Sequence, residues 1–513
     1  MSHDRDATLS SSTSGGTSKR GSIVARVLAH PDVARVGDFA PLFDAERAAK
    51  TSLSRLSPEF RTPDGRRARP LESPRITRAP LEIERHGEGL MLRRPAEVPV
   101  EVNGQPLHGE RQISREELDA GVVILFGKHL ALWLGWFDPF IAAPAVPLLV
   151  GESTVMHELR TQIHRLAALE DPVLIRGETG VGKELVAEAI HRLGSRVSSS
   201  YVAVNLSGIP PAMAASELFG HKRGAFTGAV DERKGYFSQA AGGTLFLDEI
   251  GEVSGEVQVL LLRAIQHGVI QPLGGRTQAV DVRLIAATDS DLESAVARKE
   301  FREPLLRRFP FSVWVPPLRE RRDDVGMLFF RLLEQGLSKM GESFRLDRGS
   351  ADATPWVPAS YVARLAIYGW PGNVRELANV ALNFALENRG EVRARVTENL
   401  LRLVPAPTAT PLALPEPEPE PGTKARRAED ISDDELIAAM TREEFVWERA
   451  AKTVGVSKGY LYARLGKALP KASALSLPEI RTALESCGGQ HAEAARLLRV
   501  SLRGLRLRLG REG

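Results

Sequence analysis

Cysteine is almost missing from this sequence: Cys487 is the single one in 513 residues, which excludes an internal disulfide framework and any metal cluster built on cysteine alone. A reducing, cytoplasmic setting fits that scarcity. An excess of one charge is missing too. With 68 Lys and Arg against 65 Asp and Glu, the formal net charge is only +3, so any contact with nucleic acid has to come from a local patch. There is also no clean apolar run of the ~20 residues that a membrane span needs. The most apolar stretch, residues 121–150, is interrupted by Lys128, His129, Asp138, Pro139, Pro144 and Pro147. Two buried strands joined at 127–129, then a linker, account for it without a membrane. Residues 1–22 are small and polar and read as a disordered leader, neither signal peptide nor anchor.

What is present supports several folded modules. At 43% hydrophobic and 26% charged residues, large cores can form, and the length suggests three or so domains. Residues 23–140 read as short strands between Gly, Pro and charged turns, an all-β sandwich. Residues 148–403 alternate apolar strands with amphipathic helices, the pattern of an α/β nucleotide-binding domain. Residues 404–430 are a Pro-rich linker stiffened by Pro-Glu repeats. Beyond it the chain reads as helical and repeats itself at a shift of about 44 residues. Glu435 falls on Glu479, Ala450 on Ala494, Val456 on Val500, Ser457 on Ser501 and Leu461 on Leu505. Each copy, 431–470 and 475–513, has the shape of a helix-turn-helix candidate.

The segment VLIRGETGVGKELVAEAIH, residues 173–191, is a strand, a glycine loop and a helix. The loop Gly177, Glu178, Thr179, Gly180, Val181, Gly182, Lys183 can curl its N–H groups toward phosphate oxygens at a helix N-terminus, while Lys183 adds a mobile positive charge. Glu184 stands where the general motif carries Ser or Thr. A second strand, in GGTLFLDEIGE (242–252), delivers Asp248 and Glu249 to its carboxyl end. There Asp248 suits Mg²⁺, and Glu249 suits orientation and deprotonation of an attacking water. A third strand ends in Thr288 and Asp289, placed to sense a γ-phosphate. FREPLLRRF supplies Arg302, Arg307 and Arg308, and WPGNVREL puts Arg375 at a helix start. Clustered arginines are more often a solvated face than catalytic groups. In HKRGAFTGA (221–229), Phe226 is either the exposed tip of a contact loop or the tucked aromatic of a hairpin, and composition alone favours the hairpin.

GAFTGA, residues 224–229, is also the signature loop of the sigma-54-dependent activators. The segments GETGVGKE, SELFGHKRGAFTGA, GGTLFLDEIGE, VRLIAAT, FREPLLRRF, PPLRERRDD and WPGNVREL resemble that family in its own order. The resemblance implies a AAA+ P-loop ATPase with a helical lid, using ATP and Mg²⁺ and working as a homo-oligomeric ring, typically a hexamer. It implies that the loop Gly224, Ala225, Phe226, Thr227, Gly228, Ala229 engages sigma-54 RNA polymerase, chiefly through Phe226 and Thr227. It implies that Asn205 holds Glu249, that Arg302 and Arg308 reach a neighbouring subunit's ATP, and that Arg375 senses phosphate in its own subunit. Glu184 is usual for the family. Departures are VNLSG for the usual VNCAA, Asp289 for asparagine, and Pro304 for aspartate. Pro304 is expected to disturb the helix presenting the arginines.

The flanking modules carry resemblances of their own. The last helical unit is similar to the Fis-type DNA binder of these activators, with Ser501 capping a recognition helix and Arg503, Arg506 and Arg508 in a basic stripe for double-stranded DNA. The N-terminal region resembles a forkhead-associated (FHA) sandwich. ITRAPLEI keeps Thr77 and Arg78 of that family's phosphate segment but lacks its histidine, VNGQPL supplies Asn103, and Arg55 takes the place of the phosphate-binding arginine. The partner so implied is a phosphothreonine protein or a Ser/Thr kinase. Two other classes compete: a phospho-dependent DNA-binding scaffold with a slow nucleotide switch, and a AAA+ chaperone, which has no use for GAFTGA.

Overall fold

The computed structural model describes residues 22–43, 49–73, 80–94, 98–137, 144–226, 229–346, 355–405, 432–442, 477–487 and 491–498, with a few single residues between 450 and 505. The chain divides into two compact units, 1–409 and 410–513.

The first unit opens with strands β1 (Ser22–Ala29), β2 (Phe39–Pro41), β3 (Lys50–Leu53), β4 (Phe60–Arg61), β5 (Ala68–Arg69), β6 (Leu81–His86), β7 (Gly89–Arg93), β8 (Val100–Val102), β9 (Gln105–Pro106), β10 (Glu110–Ile113), β11 (Val122–Phe126) and β12 (Leu130–Phe137). They form an eight-stranded sheet in the order β5-β4-β2-β1-β12-β11-β8-β9 and a four-stranded sheet in the order β10-β7-β6-β3, and the pairings are antiparallel. One short helix, α1 (Arg115–Ala120), lies before β11 and is fixed by a capping box of Ser114 with Glu117. Ile23, Ala25 and Val27 share a core with Leu53, Ile83, Leu92, Ile124 and Leu132, so the two sheets close on one another as a sandwich. The apolar stretch at 121–150 supplies β11 and β12, and no helix among the described residues is long and apolar enough to cross a membrane.

Successive residues of a strand point to opposite faces, and here both faces are apolar. While Ile23, Ala25 and Val27 face the sandwich interior, Val24 and Leu28 face the other way, joined by Val123, Leu125, Ala131, Trp133 and Phe137. An antiparallel sheet with a wet outer face alternates apolar with polar; this one does not, because its outer face carries a second core.

That second core belongs to the lid of the α/β module. The module runs α2 (Thr154–Ala167), β13 (Val173–Arg176), α3 (Lys183–Leu193), β14 (Tyr201–Asn205), α4 (Pro211–Phe219), the small hairpin β15 (Gly220–His221) and β16 (Arg233–Lys234), α5 (Tyr236–Gln239), β17 (Thr244–Asp248) and α6 (Gly255–His267). A second small pair follows, β18 (Val269–Ile270) and β19 (Gln278–Ala279), then β20 (Arg283–Thr288), α7 (Leu292–Ala297), α8 (Glu303–Leu306) and β21 (Phe311–Trp314). The five-stranded sheet has the order β14-β17-β20-β13-β21 and is parallel throughout. The helical lid comprises α9 (Val325–Lys339), α10 (Ala359–Ile367), α11 (Asn373–Glu387) and α12 (Glu398–Leu403). Phe329, Tyr361, Leu365 and Phe384 of the lid pack in one cluster with Val24, Leu28, Trp133 and Phe137 of the sandwich.

In the second unit, α13 (Asp433–Arg442), α14 (Leu477–Ser486) and α15 (His491–Leu497) are described. Two small cores form there, one from Leu436, Ala439, Met440, Ala450, Leu461 and Leu465, the other from Ile480, Ala483, Ala494, Ala495, Val500 and Leu505.

Phe329 is fully buried at the centre of the shared core, edge-on to Phe330, Tyr361 and Phe384. Phe329→Ala should destabilise the first unit by about 3–5 kcal/mol, read from urea melts followed by circular dichroism. A loss under about 1 kcal/mol would mean that the sandwich–lid core is not a tightly packed one.

Candidate functional site

Open parallel sheets gather ligands beyond the carboxyl ends of their strands, and here β13, β14, β17 and β20 all end on one cavity region. The glycine loop leaves β13 and enters α3 at Lys183. Gly180 has φ 81°, and a Cβ there would stand 2.5 Å from the Gly372 carbonyl of the lid, so only glycine fits. Gly182 is left-handed at the helix start. A cavity of about 820 Å³ opens over this loop. Its walls include Thr179 to Leu185 of the loop and α3, Asn205, Asp248 and Glu249 from the strand ends, and Arg375 from the lid. The cradle, the buried lysine and a volume of this size fit a nucleoside triphosphate.

The charges within it are arranged around Lys183. Its buried Nζ donates to the Gly177 carbonyl at 2.9 Å and lies 3.4 Å from Glu249 Oε1. Glu249 has the left-handed backbone φ 57°, ψ 51°, a conformation that costs energy and clusters at functional sites. Burial pushes its carboxyl above the ordinary range, Lys183 opposes that shift, and Asp289 and Asp248 add to it. Asp289 accepts from the Thr179 hydroxyl at 2.5 Å, which holds its own carboxyl below the usual range, and its N–H donates to Glu249 Oε2 at 3.3 Å.

Several residues stand elsewhere than the sequence suggested. Asn205 does not hold Glu249: its Nδ2 reaches Asp248 Oδ2 at 3.5 Å, while its Oδ1 accepts from Ser207. The ammonium of Lys183 is the charged partner a half-buried Glu249 needs, and it takes that place. Glu178 turns out of the cavity toward the lid, where Arg319 grips it through two hydrogen bonds of 2.8 and 2.6 Å and Asn373 adds a third at 3.1 Å. These partners pull its carboxyl down to about 2. Thr288 is buried, its hydroxyl accepting from Ser290 N–H, so Asp289 is the residue of that strand end beside Glu249. Pro304 lies in the first turn of α8, where the N–H has no helical partner to lose, and the helix forms with Arg302 at its N-cap.

Arg302 and Arg308 are exposed and do not line the cavity. Arg302 is anchored by its backbone N–H on Gln258 Oε1 at 2.8 Å. Arg375 does line it, and its N–H donates to Gly180 at 3.3 Å. Phe226 is 46% exposed at the tip of the loop between β15 and β16, with its ring 5.0 Å from that of His221. Gly224 N–H to Ala229 O and Ala229 N–H to Phe226 O close the loop on itself. Thr227 and Gly228 lie outside the described residues, as do Ser501, Arg503, Arg506 and Arg508, and also Thr77 and Arg78. Asn103 adopts φ 52°, and its side-chain oxygen accepts from Val123 N–H at 2.8 Å, so it fastens its own turn. Arg55 is partly exposed beside the exposed Leu56.

Sequence reasoning passed over Arg319 and Asn373, although both stood in the quoted motifs. It also passed over Arg321, buried at the cavity wall with a bond to Val181 O at 3.4 Å, and over Leu148, Leu149, Val150, Arg331 and Gln335, which line the cavity as well. No residue pattern in 148–150 marks it as a pocket wall; only the folded loop does.

Residues 149–313 match the model of the sigma-54 interaction domain, and residues 476–511 match that of bacterial regulatory proteins of the Fis family. The C4-dicarboxylate transport transcriptional regulatory protein DctD of Pseudomonas aeruginosa is 46% identical over 241 residues, 46% of this chain and 50% of that protein. The anaerobic nitric oxide reductase transcription regulator NorR of Vibrio vulnificus is 48% identical over 235 residues, 45% of this chain and 44% of that one. The Nif-specific regulatory protein of Azotobacter vinelandii is 38% identical over 328 residues, 62% and 58% respectively. Thus the chain spans about half the length of the curated relatives it matches. Among solved structures, NtrX from Brucella abortus in complex with ATP is 31% identical, with 62% of this chain and 69% of that one covered at a TM-score of 0.44. The cavity over Lys183 therefore lies in a sigma-54 interaction domain, a AAA+ ATPase module, in a chain homologous to sigma-54-dependent regulators that also carries a Fis-family helix-turn-helix segment.

Proposed function

We propose that this chain is a sigma-54-dependent transcriptional activator that binds DNA upstream and uses ATP hydrolysis to remodel sigma-54 RNA polymerase into an open promoter complex. The observation that carries the reading is a nucleotide cavity and a GAFTGA loop in one module, with Phe226 held out in solvent rather than folded into the core. An exposed aromatic needs a partner surface to justify its cost in solubility, and the loop's identity names sigma-54.

Within the cavity, Lys183 binds the outer phosphates of the substrate and Arg375 reads them from the lid. Glu249, released from Lys183, orients a water and takes its proton. Asp248, at the strand end, would supply one of the one or two protein carboxylates that a phosphate-bound magnesium ion takes, and the ion would offset charge on the phosphates. Arg302 and Arg308, exposed and outside their own cavity, suit a neighbouring subunit's site in a homo-oligomeric ring, a hexamer by family resemblance. Residues 475–513 bind double-stranded DNA through the stripe of Arg503, Arg506 and Arg508 that follows Ser501. The sandwich serves as an FHA-like control module for a phosphothreonine partner, with Arg55, Thr77 and Arg78 as its phosphate contacts. The setting proposed is the cytoplasm.

Three outcomes test this. Glu249→Gln should still bind ATP but lose at least about 100-fold in hydrolysis, measured by phosphate release. Thr227→Ala should keep hydrolysis and lose ATP-dependent open-complex formation with sigma-54 polymerase; a wild-type protein that hydrolyses ATP yet never opens such a promoter would make the chain a nucleotide-switched scaffold instead. The third concerns pH. Glu249 must be ionised to act as base, so hydrolysis is lost as pH falls through its raised pKa. Asp289→Asn removes a charge that raises it, so the acid limb of the rate profile should move to lower pH. A limb that stays put would show that Asp289 does not set the ionisation of Glu249.

A further inference from the structure

One buried charge in the sandwich has no part in the chemistry above. Arg26 of β1 is wholly buried on the sheet face turned to the lid, its guanidinium 4.8 Å from the ring of Phe137 and 5.5 Å from that of Phe39. Its Nη2 donates to the Glu152 carbonyl at 2.9 Å, its Nη1 to the Gly37 carbonyl at 3.3 Å, and its Nε lies 3.4 Å from Asp323 Oδ2. For stability alone a guanidinium is a poor choice here, because an apolar side chain of similar volume gives the same packing without desolvating a charge.

What Arg26 touches gives the charge a use. Glu152 follows Leu148, Leu149 and Val150, which are part of the wall of the nucleotide cavity. Asp323 follows Arg321, another wall residue, and leads into α9, whose Leu328, Arg331, Leu332 and Gln335 line the same cavity. Arg26 therefore spans the joint between the loop before the α/β core and the root of the lid. The sandwich that carries it shares a core with that lid, and the lid also brings Arg375 to the cavity.

We propose that Arg26 is a positioning residue through which the docked sandwich and the nucleotide stabilise each other: it holds the 148–153 loop and the lid root at the spacing that shapes the cavity wall to which both contribute. Linkage then runs both ways. Nucleotide binding tightens the seat of the sandwich on the lid, and whatever draws the sandwich away loosens the nucleotide by the same factor. The inference rests on the cavity being a nucleotide site.

The seat can also be disturbed at a residue of α9 that is not itself a cavity wall. A Cβ on Gly326 would stand 2.4 Å from the Leu28 carbonyl oxygen and 2.9 Å from Leu28 Cα, so the backbone of β1 lies directly on α9. In the full chain, Arg26→Gln and Gly326→Ala should each weaken binding of a fluorescent ADP about fivefold or more. In wild type, saturating ADP should slow amide hydrogen exchange at 24–29 and 325–330, and in the variants it should not. Arg26→Lys keeps the charge but not the reach to both partners, and should behave as Arg26→Gln. A merely structural Arg26 predicts unchanged ADP affinity in folded variants and exchange at 24–29 that ignores ADP; either result overturns the proposal. If Arg26→Gln does not fold, Gly326→Ala decides. Wild-type protein that binds no ADP would instead overturn the nucleotide reading, and the coupling with it.

Discussion

The carboxylate of Asp324 is wholly buried and accepts three hydrogen bonds: from Glu152 N–H at 2.5 Å, Ser153 N–H at 2.9 Å and the Ser153 hydroxyl at 2.7 Å. Burying an ionised carboxylate is costly unless its oxygens are fully satisfied, and these donors come from a loop some 170 positions earlier in the chain. The lid root and the loop before α2 are thereby held together. Arg160 reinforces the loop from α2 by donating to Gly151 and Leu149, and Arg321 reaches across to Val181 in the glycine loop. A cavity wall is thus made from three segments that have no local reason to meet.

The cavity also depends on a second joint of the same kind. Asn373 is buried with φ 53° at the start of α11; its Oδ1 accepts from Leu318 N–H and its Nδ2 donates to Glu178 and to Thr179 O. With Arg319 on Glu178, the lid is fastened to the loop that cradles phosphate. Lid position and loop shape are then one variable. Arg375 stands two residues beyond Asn373, so the same joint sets how far its side chain reaches into the cavity.

Much of this was legible in the sequence, and the reasons differ by element. Residues Leu436, Ala439, Ala450 and Leu461 form one C-terminal core and Ile480, Ala483, Ala494 and Leu505 the other; each pair is 44 apart, the shift found by inspection, because a repeated unit must repeat its buried positions. The glycine loop and the Asp248–Glu249 strand end carry their chemistry in local spacing, so they too could be read. The sandwich's seat on the lid could not. Strands β1, β11 and β12 are apolar on alternate and intervening positions alike, which signals cover on both faces but not what supplies it. Glu178 and Asn205 were misplaced for a related reason: a motif fixes where the backbone goes, while a side chain turns to its best charged or polar partner, and those partners lie far along the chain.

The electrostatics of the cavity set a final constraint. Asp248, Glu249 and Asp289 converge near Lys183, three carboxylates around one cation. Thr179 stabilises the charge on Asp289, and burial works against the charge on Glu249. A triphosphate brings further negative charge and competes with Glu249 for the same ammonium. Under the proposed reading, that competition is useful: Lys183 cannot serve the phosphates and clamp Glu249 at full strength together, so substrate entry frees the carboxylate that has to take a proton. Lys183, Arg375 and a magnesium ion at Asp248 would then share the charge of the triphosphate. Under the same reading, the exposed Arg302 and Arg308, lying outside their own cavity, would gain a purpose that a single copy of the chain cannot give them, as cations offered to a neighbour's site in the proposed ring.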